Sequence, residues 1–297
     1  MAARNGRRLR DAVQALPWIG PALILIGAIV VFPIVFLIRT STRELSEYGV
    51  DQGPAGLENF RQLFDNPAFN RVLVNTAVWV FVVVAVTLLL SMALAQFLNK
   101  NFPGRKVIRL AILVPWAASV VMTSTVFFYM LDPNVGVLNR FLVDVGILDD
   151  PYGFTKQPLR AFIVAIVVAI FVSIPFTTYV LLAGLQTIPD EQLEAAEVDG
   201  AGRWQRYRSI VLPQLRQAFA VAVIINMINV FNSLPILRII TGPISGYEAD
   251  TTTSLTFKLI SPLQQVDTAA ALSVLNFGLV LLIVAAYLAI TRPMRET

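Results

Sequence analysis

Asn226, Asn229 and Ser233 recur at i, i+3 and i+7 within one long apolar run, a spacing that gathers two carboxamides and a hydroxyl onto a sector of about 60° on one helix face. A second apolar run carries Val172, Ser173 and Phe176, with Thr177 on the same face as Ser173 and Phe176, beside Pro175. Proline has no N–H to give, so a carbonyl is released and the helix can bend there. Amides and hydroxyls hydrogen-bond sugar hydroxyls without imposing charge, and an aromatic ring stacks on the apolar face of a pyranose. Polar side chains in lipid are costly unless they face protein or a water-filled cavity. Two uses therefore stand side by side: a binding face for a polyhydroxylated solute, or hydrogen-bonding glue between helices.

A different chemistry is written between residues 194 and 213, EAAEVDGAGRWQRYRSIVLP. Thr187 can cap, Pro189 fits a first turn, and Asp190 and Glu191 suit the positive end of a helix dipole, which predicts a short helix over about 189–198. Asp190, Glu194 and Glu197 form an acidic stripe on it, while Ala195 and Ala196 keep its surface thin enough for close approach. Asp199-Gly200-Ala201-Gly202 breaks the helix with two residues free to take positive φ. A second amphipathic piece sets Arg203, Arg206 and Arg208 among Trp204 and Tyr207, and Pro213 marks a bend. This is either a surface that receives another protein or a solvated helical hairpin whose acids and bases pair with each other.

The chain has no His and no Cys, which removes Cys/His metal sites, thiol nucleophiles and the commonest proton shuttle. It also lacks a G-x-x-x-x-G-K-[ST] phosphate loop, so any energy from nucleotide hydrolysis has to come from another subunit. Neither catalysis nor a resident cofactor or metal is expected of this chain.

These residues have to be positioned in lipid. Of 297 residues, 56% are hydrophobic and 14% charged, and the mean hydropathy is +0.70, well outside the range of soluble domains. Apolar runs long enough to cross about 30 Å of hydrocarbon fall at about 17–38, 71–98, 110–131, 161–185, 217–237 and 268–290. An all-α membrane protein with six transmembrane helices follows, with both ends on one side. The interiors of these runs hold no Asp, Glu, Lys or Arg, unlike those of most ion-coupled carriers. Residues 1–16 read as a cytoplasmic basic segment with Arg4, Arg7, Arg8 and Arg10, and 17–297 as the membrane domain, with a cytoplasmic loop at about 186–216. That orientation puts 14 of the 23 Lys and Arg residues on the inside, as positive-inside bias requires. The place is the plasma or inner membrane of a prokaryote.

Glu194-Ala195-Ala196, Gly200 four residues on, Ile210 and Leu212-Pro213 resemble the EAA loop of ABC importer permeases, down to Asp199-Gly200-Ala201 and Trp204-Gln205. The likeness covers most of the chain. Gly56-Leu57-Glu58-Asn59-Phe60 resembles the approach to the second span of sugar permeases, and Pro115-Trp116 and Asp132-Pro133-Asn134-Val135-Gly136-Val137-Leu138-Asn139 their third span and the loop after it. Phe231-Asn232-Ser233-Leu234-Pro235-Ile236 is similar to the fifth span of the MalF-type member of a permease pair. The resemblance implies the type I ABC importer permease fold, with a second, MalG-type permease, two ATPase subunits that hold ATP and Mg, and an extracytoplasmic sugar-binding protein as partners. It implies ATPase coupling through Glu194, Ala195, Ala196, Asp199, Gly200 and Ala201, and substrate contacts from Asn226, Asn229, Ser233, Val172, Ser173 and Phe176. Importers of a polyol, a glycerophosphodiester or another small polar solute share this pattern, and a channel or membrane scaffold is the reading from another class.

Overall fold

The computed structural model describes residues 17–244 and 246–291. The basic segment 1–16 lies outside the described residues. Four helices are long and apolar enough to span a membrane: α1 (Pro17–Ser41), α3 (Phe69–Asn99), α7 (Pro158–Gln186) and α13 (Val266–Thr291). Two bent pairs complete up to six spans. They are α4 (Arg105–Ala117) with α5 (Val120–Met130), at 93°, and α9 (Arg203–Gln214) with α10 (Arg216–Phe231), at 62°. Shorter pieces are β1 (Arg43–Leu45), β2 (Asp51–Pro54), α2 (Glu58–Asp65), α6 (Val137–Asp144), α8 (Asp190–Val198), α11 (Leu234–Thr241) and α12 (Thr252–Ile260). The antiparallel β1–β2 hairpin is the one departure from an all-helical chain among the described residues.

The third and fifth spans are not the single straight helices that hydropathy predicts. Ala118 and Ser119 take extended backbone (ψ 147° and 136°) between α4 and α5, and Pro115 has already removed one amide from the α4 ladder. In the fifth span α10 stops at Phe231, and Ser233 (φ −76°, ψ 53°) leads into α11, whose first turn holds Pro235. Hydropathy averages over such two-residue breaks, because the flanking residues are apolar on both sides.

Contacts divide the chain into two compact units, Met1–Asn66 with Thr256–Leu275 and Pro67–Leu255 with Asn276–Thr297. In the first, Asn59 is 2% exposed and its Nδ2 donates to the carbonyls of Ser41 (3.0 Å) and Arg43 (2.8 Å), tying α2 to the end of α1. The Leu45 N–H donates to Asp267 Oδ2 at 3.1 Å.

The second unit is built on α3 and α7, which run side by side. Ala161, Ala165 and Ala169 recur every four residues and are buried, so the α7 backbone approaches α3 closely, the small-residue solution that lipid favours in the absence of a hydrophobic drive between helices. Trp79 stacks at a tilt on Phe162, 5.9 Å between centroids, and its Nε1–H donates to the Val230 carbonyl at 2.8 Å, near the end of α10, where the Ser233 N–H donates as well. Lower down, Ser91 Oγ donates to the Ile174 carbonyl at 3.2 Å. A second cluster gathers Met92, Ala95, Leu98, Leu181, Leu185, Leu215 and Ala222 around the C-terminal ends of α3 and α7.

The loop after α5 is held by its own acids and amides. Asp132 Oδ1 accepts the N–H groups of Asn134 (2.8 Å) and Val135 (3.2 Å), and these bonds hold its carboxyl below the ordinary value of 3.8. The turn they form is therefore intact above the ordinary carboxylate range and weakens as pH falls through the lowered pKa. Asn139 is 1% exposed; its Nδ2 donates to the carbonyls of Leu131 and Tyr152, and its Oδ1 accepts the Tyr152 N–H. Asn139→Ala strands these backbone groups and is expected to lower stability by about 1–3 kcal/mol, seen as a reduced melting temperature of the detergent-solubilised protein; an unchanged melt would show that water replaces the amide without loss.

Candidate functional site

The loop singled out by its charges and small residues is a helical hairpin of α8 and α9. Helix α8 spans Asp190–Val198, with Pro189 in the capping position. Thr187, read from sequence as that cap, instead closes α7: its Oγ1 donates to the Gly184 carbonyl at 2.8 Å. At the far end the Gly200 N–H donates to the Glu197 carbonyl (3.0 Å) and the Ala201 N–H to the Ala196 carbonyl (2.9 Å), the paired bonds of a Schellman cap. Gly200 occupies its left-handed position, φ +82°. Gly202 has φ −65°, so only one of the two glycines is used for positive φ. The spacing from Ala196 to Gly200 and Ala201 is thus the geometry of a helix stop.

Three contacts brace α8 against α9. Arg206, the least exposed arginine of the segment, pairs with Glu197, and its guanidinium reaches the Leu193 carbonyl at 3.5 Å. Gln214 Nε2 donates to Gln192 Oε1 at 2.6 Å. In turn α9 is fixed to α3, since Gln96 Nε2 donates to the Tyr207 hydroxyl at 2.7 Å. One acid of the expected stripe is consumed in this bracing. Asp190, Glu194 and Ala195 remain on the exposed side, beside Val198 at 88% and Trp204 at 70% exposure. A concavity of about 310 Å³ lies between the two helices, lined by Ala196, Asp199, Gly200, Ala201, Arg206 and Ile210 among others. The sequence reading missed Val198. Its only signal is an exposed-face apolar residue two positions before the glycine stop, on a helix whose other residues, Leu193 apart, are polar or small.

The residues predicted to face a solute separate into two groups. Asn226 is 3% exposed: its Nδ2 donates to Thr177 Oγ1 (2.8 Å) and to the Ala222 carbonyl (2.8 Å), so it joins α10 to α7. Thr177 Oγ1 itself donates to the Ser173 carbonyl at 2.8 Å. Val172 packs on the core formed with Trp79 and Phe162. Asn229 is exposed on α10, while Ser173, Phe176 and Ser233 are partly exposed. Ser233 stands in the break after α10 rather than on the same helix, and its Oγ donates to the Asn229 carbonyl at 2.9 Å. Asn232 is exposed with its Nδ2 on the Ile228 carbonyl at 2.8 Å. Asn232 thus caps the end of α10 as a third amide.

Residues 87–291 match the family described as binding-protein-dependent transport system inner membrane component. The chain belongs to this family. It is an ABC transporter permease of the group that includes MalF-, SugA- and UgpA-like proteins, a multi-pass membrane subunit without catalytic activity of its own. The permease is 31% identical to the sulfoquinovosyl glycerol transport system permease SmoG of Agrobacterium fabrum, over 96% of this chain and 92% of that one. It is 28% identical to the trehalose/maltose transport system permease MalF of Thermococcus litoralis, over 97% of each. Its fold is that of a chain in the crystal structure of a bacterial ABC transporter that imports the acidic polysaccharide alginate, with a TM-score of 0.84, 23% identity, and coverage of 99% and 100%. The break-and-bend spans are thus part of a fold that this likeness covers end to end.

Proposed function

We propose that this permease forms half of the substrate pathway of an ATP-driven carbohydrate importer and that the α8–α9 hairpin is the seat of its ATPase subunit. The observation that carries the reading is the hairpin itself: a short helix with Ala195 and the Glu194 carboxylate on its exposed side, closed by a left-handed glycine and flanked by exposed Val198 and Trp204. Apolar side chains exposed beside a free carboxylate on this mostly polar hairpin fit the contact surface of another protein. The hairpin and both termini lie on the cytoplasmic side, supported by the Lys and Arg bias of the loops. The partners are a MalG-type permease, two ATPase subunits that bind ATP and Mg, and an extracytoplasmic binding protein that delivers the sugar.

Force on the hairpin has a defined route into the spans. Leu215, at the corner between α9 and α10, is fully buried in the cluster with Leu181, Leu185 and Ala222, and Tyr207 is bonded to α3 through Gln96. Closure of an ATPase dimer on ATP would therefore tilt α3, α7 and α10 together rather than bend the loop, which is the motion alternating access requires. Packed interfaces have discrete arrangements and transmit such shifts.

On the substrate side Asn229, Ser233, Ser173 and Phe176 line the path, and Asn226 positions α10 through Thr177. An exposed carboxamide in an apolar run is tolerated only where it meets water, solute or protein. Between Phe162 and Leu185, and between Gln217 and Phe231, neither helix carries a charged residue, which favours a neutral sugar over a glycerophosphodiester. The likeness to permeases of trehalose/maltose and sulfoquinovosyl glycerol transport systems supports a carbohydrate solute. Asn229→Ala is expected to reduce uptake roughly tenfold, for one lost hydrogen bond of about 1–2 kcal/mol, while the assembled importer stays intact on size exclusion. Asn226→Ala, in contrast, should lower the melting temperature of the permease itself, because it loosens α10 from α7. Dissociation of the Asn229→Ala complex would make that amide a subunit contact instead of a ligand.

A further inference from the structure

At the end of the bundle opposite the hairpin, the N-terminal ends of α3 and α7 enclose a groove of about 530 Å³. Its walls are Val74 on α3 with Leu159 and Phe162 on α7, and Arg71 and Glu248 stand at its mouth. Val74 and Leu159 are 61% and 71% exposed. The apolar surface does not stop at the groove. It continues one and two turns further along each helix through Val78 and Phe81 on α3 and Ile163 and Val167 on α7, all exposed. A continuous apolar strip of this kind, inside a membrane-spanning segment, is a surface for acyl chains.

The charges at the mouth have opposite sign and are only loosely joined. Arg71 Nη1 and Glu248 Oε1 are 3.8 Å apart, with side chains 62% and 61% exposed, a pairing that contributes little by itself. The backbone that carries Glu248 is nevertheless held in place, because Asn75 Nδ2 donates to the main-chain carbonyls of Glu248 (2.9 Å) and Asp250 (3.0 Å). A carboxylate on an anchored backbone and a guanidinium above an apolar groove match, charge for charge, a primary ammonium and a phosphate above an acyl chain. We infer that this groove is a binding site for a zwitterionic phospholipid with an ethanolamine headgroup, its phosphate on Arg71, its ammonium on Glu248 and one acyl chain along Val74 and Leu159.

The inference is tested by native mass spectrometry of the full chain in detergent, offered equal amounts of phosphatidylethanolamine and phosphatidylglycerol. The wild-type protein should retain phosphatidylethanolamine preferentially. Glu248→Gln should remove about tenfold of that preference, and Arg71→Gln should reduce retention of both lipids. Both side chains are mostly exposed, so the variants are expected to fold, and an unchanged melting temperature confirms it. Absence of any preference in the wild-type protein overturns the inference, as does a preference that neither substitution alters. Variants that keep their lipid but lose stimulation of ATP hydrolysis by the binding protein would assign the groove to a protein partner and overturn it too.

Discussion

Gly200→Val should leave the permease inserted and paired yet abolish stimulated ATP hydrolysis and uptake in reconstituted vesicles. Nothing stands within 4 Å of a Cβ placed on Gly200, so the effect does not come from a clash inside the chain. It comes from φ +82°, a conformation that costs an L-residue about 1–2 kcal/mol and a β-branched one more. The chain escapes that strain by abandoning the Schellman cap, which frees the Ala196 and Glu197 carbonyls and re-aims α8 with its exposed Glu194 and Ala195. Added bulk would also hold the helix off its partner. Gly200→Asn is the control, since asparagine tolerates the left-handed region, and it should keep most of the coupling. Glu194→Lys reverses the exposed charge with no backbone strain and should weaken the same contact. If Gly200→Val and Glu194→Lys both retain full stimulated hydrolysis and uptake, the hairpin is only a solvated loop.

The second large effect is expected one layer inward. A Cβ on Gly184 of α7 would lie 2.6 Å from Ala218 Cβ and 3.0 Å from Leu215 Cδ2, so α7 and α10 touch there with no room for a side chain. Gly184→Leu therefore has to push α10 away at the corner where the hairpin meets the spans. Overpacking of this sort costs about 1–3 kcal/mol, occasionally more, and it acts on the buried cluster proposed above to carry hairpin motion into the spans. A lower melting temperature in detergent and loss of assembly with the second permease are expected. Ala218→Gly in the same chain should restore part of both. A Gly184→Leu protein that melts and assembles like the wild type would show that the two helices are not in contact as described.

The two residues differ in how far each was legible before any coordinates. Gly200 was readable as a helix stop, because a glycine four residues beyond an alanine pair on a short charged helix has few other uses, and the cap formed as local backbone chemistry demands. Gly184 carried no such signal. It lies at the end of an apolar run, and its role exists only because Ala218 of another helix arrives at the same point. The same division runs through the polar faces. That Asn226, Asn229 and Ser233 needed something other than lipid followed from their type alone. Which of them bonds to protein did not, since the partner of Asn226 is Thr177, far away in sequence, and the helix ends before Ser233.

Sequence by itself determined the apolar spans, their number when bent pairs are counted, the charged hairpin and its glycine stop, and the absence of catalytic chemistry. All of these are properties of single segments set by composition, period and local backbone preference. Tertiary structure decided what depends on two segments meeting. It bent the third span at Ala118 and Ser119, ended α10 at Phe231, buried Asn226 against Thr177, consumed Glu197 on Arg206, and opened a groove under Arg71 and Glu248. Such features cost or release free energy only when distant side chains come within hydrogen-bonding or van der Waals reach, and no local pattern records that distance.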